Sequence, residues 1–284
     1  MRFLLTGRTG QVGSALLQAL APLGEIVAPD RKQLDFLDLK DIRKKAQDSR
    51  PDVIVNAAAY TSVDRAESEH DAAFAVNASA PQALAEEAKK LGALLVHFST
   101  DYVFDGEKAT PYVETDAPNP LGIYGASKLA GERAIAASGC RHFIFRTSWV
   151  YAASGRNFVL AILAAAQARP ELRVVIDQRG APTSSVALAN AAAAIVADPA
   201  AMRKPGGVYH MSAAGETTWY DFAHAILAQK GLRTPVVPVS SAEYAAPAPR
   251  PKNSLLDNAR LRATFGISLK HWREELPAVL AAIN

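Results

Sequence analysis

The chain has one cysteine, Cys140, in 284 residues. No intramolecular disulfide can form, and the thiol content is what a reducing compartment permits. An excess of one charge is also missing: 31 Lys and Arg stand against 28 Asp and Glu, a net +3 scattered along the chain. That balance gives no reason to expect a nucleic acid or a membrane surface as partner. Long apolar runs are absent. The N-terminus, Met1-Arg2-Phe3-Leu4-Leu5-Thr6, enters a glycine loop before it could form the apolar region of a signal peptide. No later run approaches the ~20 residues of a membrane span, so the expectation is a cytoplasmic protein that starts at its first strand. Histidines are few. His97, His142 and His210 lie in strand-like segments with no second ligand at metal spacing, so each reads as a structural histidine and no metal is expected. Cys140 has no partner for nucleophilic work.

What is present is an ordinary globular composition, 49% apolar and 21% charged, over a length that suits one large domain with a smaller appendage. Short apolar runs at Arg2–Thr6, Glu25–Ala28, Asp52–Asn56, Leu94–Ser99 and His142–Arg146 read as strands. Between them, Gln11–Leu20, Leu39–Gln47, Asp71–Leu91 and Ser127–Ala137 carry apolar residues at helical spacing. This alternation predicts an α/β fold, a doubly wound parallel sheet of Rossmann-like type. Later strands are expected at Arg173–Ile176, Gly207–Met211 and Pro235–Val239, and helices at Asn157–Ala168, Val186–Ala197, Trp219–Gln229 and Ala259–Phe265. The reading is a dinucleotide-binding domain over 1–150, completed by part of the later chain, and a smaller substrate-binding lobe built mainly from 151–284.

Gly7-Arg8-Thr9-Gly10-Gln11-Val12-Gly13 follows the first strand at once and opens a helix, the context a dinucleotide-binding turn requires. Its glycines let the chain turn tightly and bring backbone N–H groups and the helix N-terminus, at Gln11 and Val12, against a pyrophosphate. The spacing is G-x-x-G-x-x-G, a departure from the commonest G-x-G-x-x-G. Asp30 closes the second strand, where a carboxylate can accept both ribose hydroxyls of an adenosine, as NAD requires. Arg8, Arg31 and Lys32 stand close enough to meet a 2′-phosphate instead, so the cofactor is left as NADPH or NADH. Asp38 and Leu39 are placed beside the adenine. Asn56-Ala57-Ala58-Ala59-Tyr60-Thr61 ends the third strand with small residues that let a cofactor lie along the sheet edge, with Ala59, Tyr60 and Thr61 as contacts.

Tyr124-Gly125-Ala126-Ser127-Lys128 sets a phenol and an ammonium four residues apart, one helical turn, on one face. A free tyrosine titrates near ~10 and moves protons poorly at neutral pH, and a nearby ammonium is expected to lower that value. Lys128 is also placed on the nicotinamide ribose, and Tyr124 is counted with it among the cofactor contacts. The fourth strand ends in His97-Phe98-Ser99-Thr100-Asp101, at the sheet edge where ligands of doubly wound folds bind. There Thr100 can present a hydroxyl to the same carbonyl oxygen as Tyr124, with Ser99 as the competing choice.

These residues together resemble the extended short-chain dehydrogenase/reductases over essentially the whole chain. The specific stretches are Gly7–Gly13, Asn56–Tyr60 with Val63–Ser68, Ser99–Gly106, Tyr124–Lys128, Arg146–Tyr151, Gly180–Thr183 and Arg250-Pro251. The resemblance is strongest to the members that reduce nucleotide-bound sugars. It implies hydride transfer from NADPH or NADH to C4 of a dTDP-4-keto-6-deoxy-L-sugar, giving dTDP-L-rhamnose. Tyr124 would then supply the proton, Lys128 would tune it, Thr100 would orient the carbonyl, and Asp101 and Trp149 would touch the sugar. Arg250, with Lys252, would meet the substrate diphosphate. Some relatives dimerise through carboxylate-held magnesium. The corresponding positions here are Ala15, Val186 and Asn190, none acidic, so a monomer or weak dimer without a metal bridge is expected. Two other functions share the pattern: a nucleotide-sugar epimerase or 4,6-dehydratase that retains NAD, and a non-catalytic nucleotide-binding regulatory subunit, which would be expected to lose Thr100, Tyr124 or Lys128.

Overall fold

The computed structural model describes residues 1–283. Six strands, β1 (Arg2–Thr6), β2 (Glu25–Val27), β3 (Val53–Asn56), β4 (Leu94–Thr100), β5 (His142–Thr147) and β6 (Gly207–His210), form one parallel sheet in the order β2-β1-β3-β4-β5-β6. Successive side chains of a strand point to opposite faces, and here both faces are apolar. Phe3, Leu5, Val53, Val55, Val96, Phe98, Phe143 and Phe145 pack on one side against helices α1 (Gln11–Leu20) and, further along the chain, Ser185–Ala197. Leu4, Ile54, Leu95 and Ile144 pack on the other side against α2 (Leu39–Ser49), α3 (Ala80–Leu91) and α4 (Ile123–Ser138). Strands buried on two faces must read as continuous apolar runs, which is why β4 has no exposed residue.

The strand order reverses at β1, which lies between β2 and β3. The loops that leave β1 and β3 therefore part company, and the crevice between them is where a doubly wound sheet takes a ligand. A second apolar cluster lies beyond the sheet. Tyr151, Val159, Leu172, Phe222, Trp272 and Leu276 join helices α5 (Phe158–Ala168), α7 (Trp219–Gln229) and α9 (Trp272–Ala281) around the parallel pair Leu172–Val175 and Val236–Val239. The helix Ser185–Ala197 (α6) and Ala259–Phe265 (α8) return to the sheet, where Leu188 and Leu261 enter the first cluster.

Three elements differ from the sequence reading. The helix expected over Asp71–Leu91 is broken into His70–Phe74, one π turn at Ala75–Ser79, and α3. Pro81 stands in the first turn of α3 and donates no N–H to the turn before it, which favours such a break. The widened turn presses on α4: a Cβ on Gly131 would sit 2.1 Å from the Asn77 carbonyl oxygen. Helix α4 starts at Ile123, four residues before Ser127, because the Glu67 carboxylate accepts a hydrogen bond from the Ile123 N–H. Helix α9 had no counterpart in the expected elements. Its Pro277 and acidic first turn mask the apolar stripe of Trp272, Leu276, Val279 and Leu280.

Candidate active site

The loop after β1 is shaped by close backbone approach. Gly7 has φ 77°, and a Cβ there would lie 2.5 Å from the Ala58 nitrogen, so the loops leaving β1 and β3 touch. A Cβ on Gly13 would lie 2.0 Å from the Gly7 carbonyl oxygen. Gly10 caps α1 without any side-chain bond, so the N–H groups at Gln11, Val12 and Gly13 open the helix with no intrahelical partner. The buried Gln11 Oε1 also has no partner. Orphaned donors at a helix N-terminus, in a cradle too tight for side chains, suit the pyrophosphate of a dinucleotide.

The outer parts of that region are turned to local structure. Asp30 Oδ1 accepts from the Lys32 and Gln33 N–H groups at 2.9 and 3.2 Å. Asp38 caps α2, accepting from Lys40 and Asp41, while Leu39 is exposed. The Arg8 guanidinium donates to the Ala28 carbonyl at 3.0 Å, and with Lys45, Gln33 and Pro29 it lines a cleft beside β2. After β3, beyond Ala59, the Tyr60 hydroxyl donates to Glu69 at 2.6 Å, and its backbone is held on both sides by Asn77; Thr61 is exposed.

The densest polar arrangement lies between β4 and α4. Tyr124, Lys128 and Glu132 follow one another at four-residue spacing, a single stripe of the helix, and each finds its partner on β4. Glu132 takes Ser99 and, across on β5, the Arg146 guanidinium at 2.6 and 2.9 Å. Lys128 Nζ donates to the Phe98 carbonyl at 2.7 Å and lies 3.3 Å from His97 Nε2. Tyr124 lies beside Thr100, whose hydroxyl favours the ionised phenol while donating to Asp101 Oδ1 at 3.0 Å. Ser99 is thus committed to Glu132, and of the two candidate hydroxyls it is Thr100 that meets the phenol. Gly125 permits the fit, since a Cβ there would lie 2.1 Å from the Tyr102 carbonyl oxygen.

Burial sets the electrostatics. The Tyr124 phenol is pushed up to about 12 because its ionised form is desolvated, the Thr100 hydrogen bond pulling the other way. This reverses the direction expected from the Tyr-x-x-x-Lys spacing. The ammonium does not dominate the phenol, because Lys128 is itself buried, pushed down to about 8, and bonded towards β4. The Asp101 carboxyl is raised to about 6 by burial, with the nearby Ser254 and Thr100 hydroxyls opposing. Its Oδ1 accepts from Thr100 at 3.0 Å, and its Oδ2 is buried without a partner.

Trp149 holds a left-handed φ of 49°, uncommon for a bulky side chain. Its ring stacks on Trp219 with centroids 3.5 Å apart and presses on Gly180, where a Cβ would lie 2.3 Å from the ring. Arg250 is drawn elsewhere: it makes a two-oxygen ion pair with Asp64 at 2.9 and 3.0 Å. In this structure its charge is therefore already matched, and Asp64 latches the Pro-rich loop by accepting from Ala248 N–H as well. Among the described residues no group of three or more His, Cys, Asp or Glu is gathered as for a metal.

Sequence reasoning missed Asn77 and Trp219, which hold candidate residues in place. Asn77 ties Tyr60 to Ser127, the residue before Lys128, through a π turn that no periodicity announces. Trp219 reads as an ordinary helix N-terminal aromatic until the fold stacks it on Trp149.

The family described as "RmlD substrate binding domain" matches residues 1–284. A dTDP-4-dehydrorhamnose reductase of Burkholderia thailandensis is 45% identical, covering 96% of both chains. One of Escherichia coli is 43% identical, covering 96% of this chain and 95% of that one. The crystal structure of a Bacillus anthracis dTDP-4-dehydrorhamnose reductase in complex with NADP superposes with a TM-score of 0.93 at 37% identity, covering 99% of this chain and 98% of that one.

Proposed function

The chain belongs to the RmlD substrate binding domain family, and on that premise we propose that it carries out NAD(P)H-dependent reduction of the C4 carbonyl of dTDP-4-dehydro-L-rhamnose to dTDP-L-rhamnose. The observation that carries the reading is a half-buried phenol, Tyr124, pushed up to about 12 and set beside Thr100 at the carboxyl end of the parallel sheet. A bound nicotinamide cofactor supplies the hydride. The loop from Gly7 to Gly13 would hold its pyrophosphate, Lys128 its nicotinamide ribose, and the cleft beside Arg8 its adenosine end.

As the carbonyl carbon gains hydride, its oxygen takes the Tyr124 proton. A phenol held un-ionised by burial is in the form that can donate. The Thr100 hydroxyl, turned from Asp101 towards the substrate oxygen, is a second donor to the developing charge. Lys128 opposes the charge left on the phenolate. Asp101, with an unpaired buried oxygen, and the Trp149 face would receive the sugar, and Arg250 would exchange Asp64 for the substrate diphosphate. The residues after 150, with the cluster around Trp272, form the lobe that covers the substrate.

The enzyme is placed in the cytoplasm, with no nucleic-acid partner. Among the described residues no helix is long and apolar enough to cross a membrane. Ala15, Val186 and Asn190 offer no carboxylate for a bridging cation, so the protein is a monomer or weak dimer. A magnesium-dependent shift from monomer to dimer in light scattering would contradict this. The reaction is tested by adding dTDP-4-dehydrorhamnose to purified protein with NADPH or NADH and following nicotinamide absorbance. Substrate-dependent oxidation supports the reading. Turnover without added cofactor, or none at all by folded, cofactor-binding protein, overturns it.

A further inference from the structure

The reductase reading assigns no task to His97, which is completely buried in β4. Its surroundings fix its tautomer. Thr6, Asn56 and His97 are direct neighbours across β1, β3 and β4, so their side chains fall in one row. Asn56 Oδ1 accepts from the Thr6 hydroxyl at 2.7 Å and from the Ala58 N–H at 3.2 Å. A backbone N–H can only donate, so the amide is pinned with its oxygen towards Ala58 and its Nδ2 towards His97 Nδ1, 3.0 Å away. Nδ1 must then accept, and the ring proton sits on Nε2. That proton points at Lys128 Nζ, 3.3 Å off.

An ammonium has no lone pair to receive it, whereas a neutral amine does and can still donate to the Phe98 carbonyl. We propose that His97, locked as the Nε2–H tautomer by Asn56, is a positioning residue that favours the neutral form of Lys128 and so sets the pH at which this lysine titrates during turnover. The inference rests on the reductase reading of the same site. Burial of both groups acts in the same sense: the imidazole is held well below its usual range and Lys128 is lowered. The other titratable groups that bear on the pair are Glu132 on α4, matched by Arg146 of β5, and His142 of β5.

Reduction needs the Lys128 ammonium to offset the phenolate on Tyr124, so activity should fall as pH rises through the lysine's titration. Removing the His97 donor raises that titration point. In His97→Leu the alkaline limb of kcat/KM should move up by about one pH unit, while His97→Gln, which keeps an N–H donor, should stay near wild type. A limb that is unmoved in both variants overturns the proposal and leaves the reductase reading intact. The tautomer is read independently of turnover, and of whether the variants fold, from 15N spectra of the wild-type histidines. A neutral Nε2–H ring at His97 from about pH 6 to about pH 9, across the ordinary histidine range, supports the assignment. An Nδ1–H ring or an imidazolium overturns it, even if no sugar nucleotide is reduced.

Discussion

Two polar groups, Glu132 buried and Tyr124 half-buried, lie two turns apart on α4 and face successive residues of β4, yet they are treated oppositely by the fold. At Glu132 the carboxylate's bonds are made, and only the Arg146 Nη1 beside it is left without a partner. The carboxylate takes Ser99 and a two-point ion pair from Arg146, both partners are about 4% exposed, and the guanidinium lies 5.0 Å from the centre of the Phe104 ring. At Tyr124 the bonds are few. The phenol lies beside Thr100, the neighbouring Asp101 has an oxygen with no partner, and both groups are pushed away from ionisation by burial. A satisfied buried network rigidifies, whereas an unsatisfied one costs stability and persists where a ligand completes it. The contrast predicts that damage at one end of the stripe is read in stability and at the other end in chemistry.

The largest stability effect should come from Glu132→Gln, which leaves the Arg146 charge buried and unpaired. A loss of about 3–5 kcal/mol in denaturant unfolding is expected, with turnover per folded molecule retained. Next is Gly180→Ala, whose methyl would drive into the Trp149 ring. Overpacking of about 1–3 kcal/mol should fall on substrate binding, so KM for the sugar nucleotide rises more than kcat falls. Asp101→Asn sharpens the comparison through pH. The folded carboxyl titrates at about 6, above its usual value of 3.8. It holds a proton in the folded state that the unfolded chain has released, so wild-type stability declines as pH rises through that window. The stability of Asp101→Asn relative to wild type should therefore grow between about pH 4 and about pH 6, by up to roughly 3 kcal/mol, while activity drops. A difference independent of pH would mean that Asp101 is not buried as described.

Much of this was legible in the chain. The strands announced themselves because a parallel sheet needs unbroken apolar runs, and the glycine loop because only glycine tolerates the approach of Gly7 to Ala58. The partnership of Tyr124 with Lys128 followed from helical spacing. What spacing does not carry is direction: it could not say that Lys128 turns to the Phe98 carbonyl and His97, so the expected lowering of the phenol was the wrong sign. Nor could it divide Ser99 from Thr100, since the choice depends on which side of β4 faces Glu132. Asn77 and the Trp149–Trp219 stack were invisible because a π turn and a contact between distant segments leave no local pattern.

Tyr124 is held for chemistry and contributes little to the fold. The direct measurement is kcat/KM for NAD(P)H-dependent reduction, with the melting temperature, in wild type and Tyr124→Phe. A fall of about 10²–10⁴-fold is expected, the range for a lost general acid, with the melting temperature unchanged. Retained activity, or a loss explained by unfolding, would contradict it.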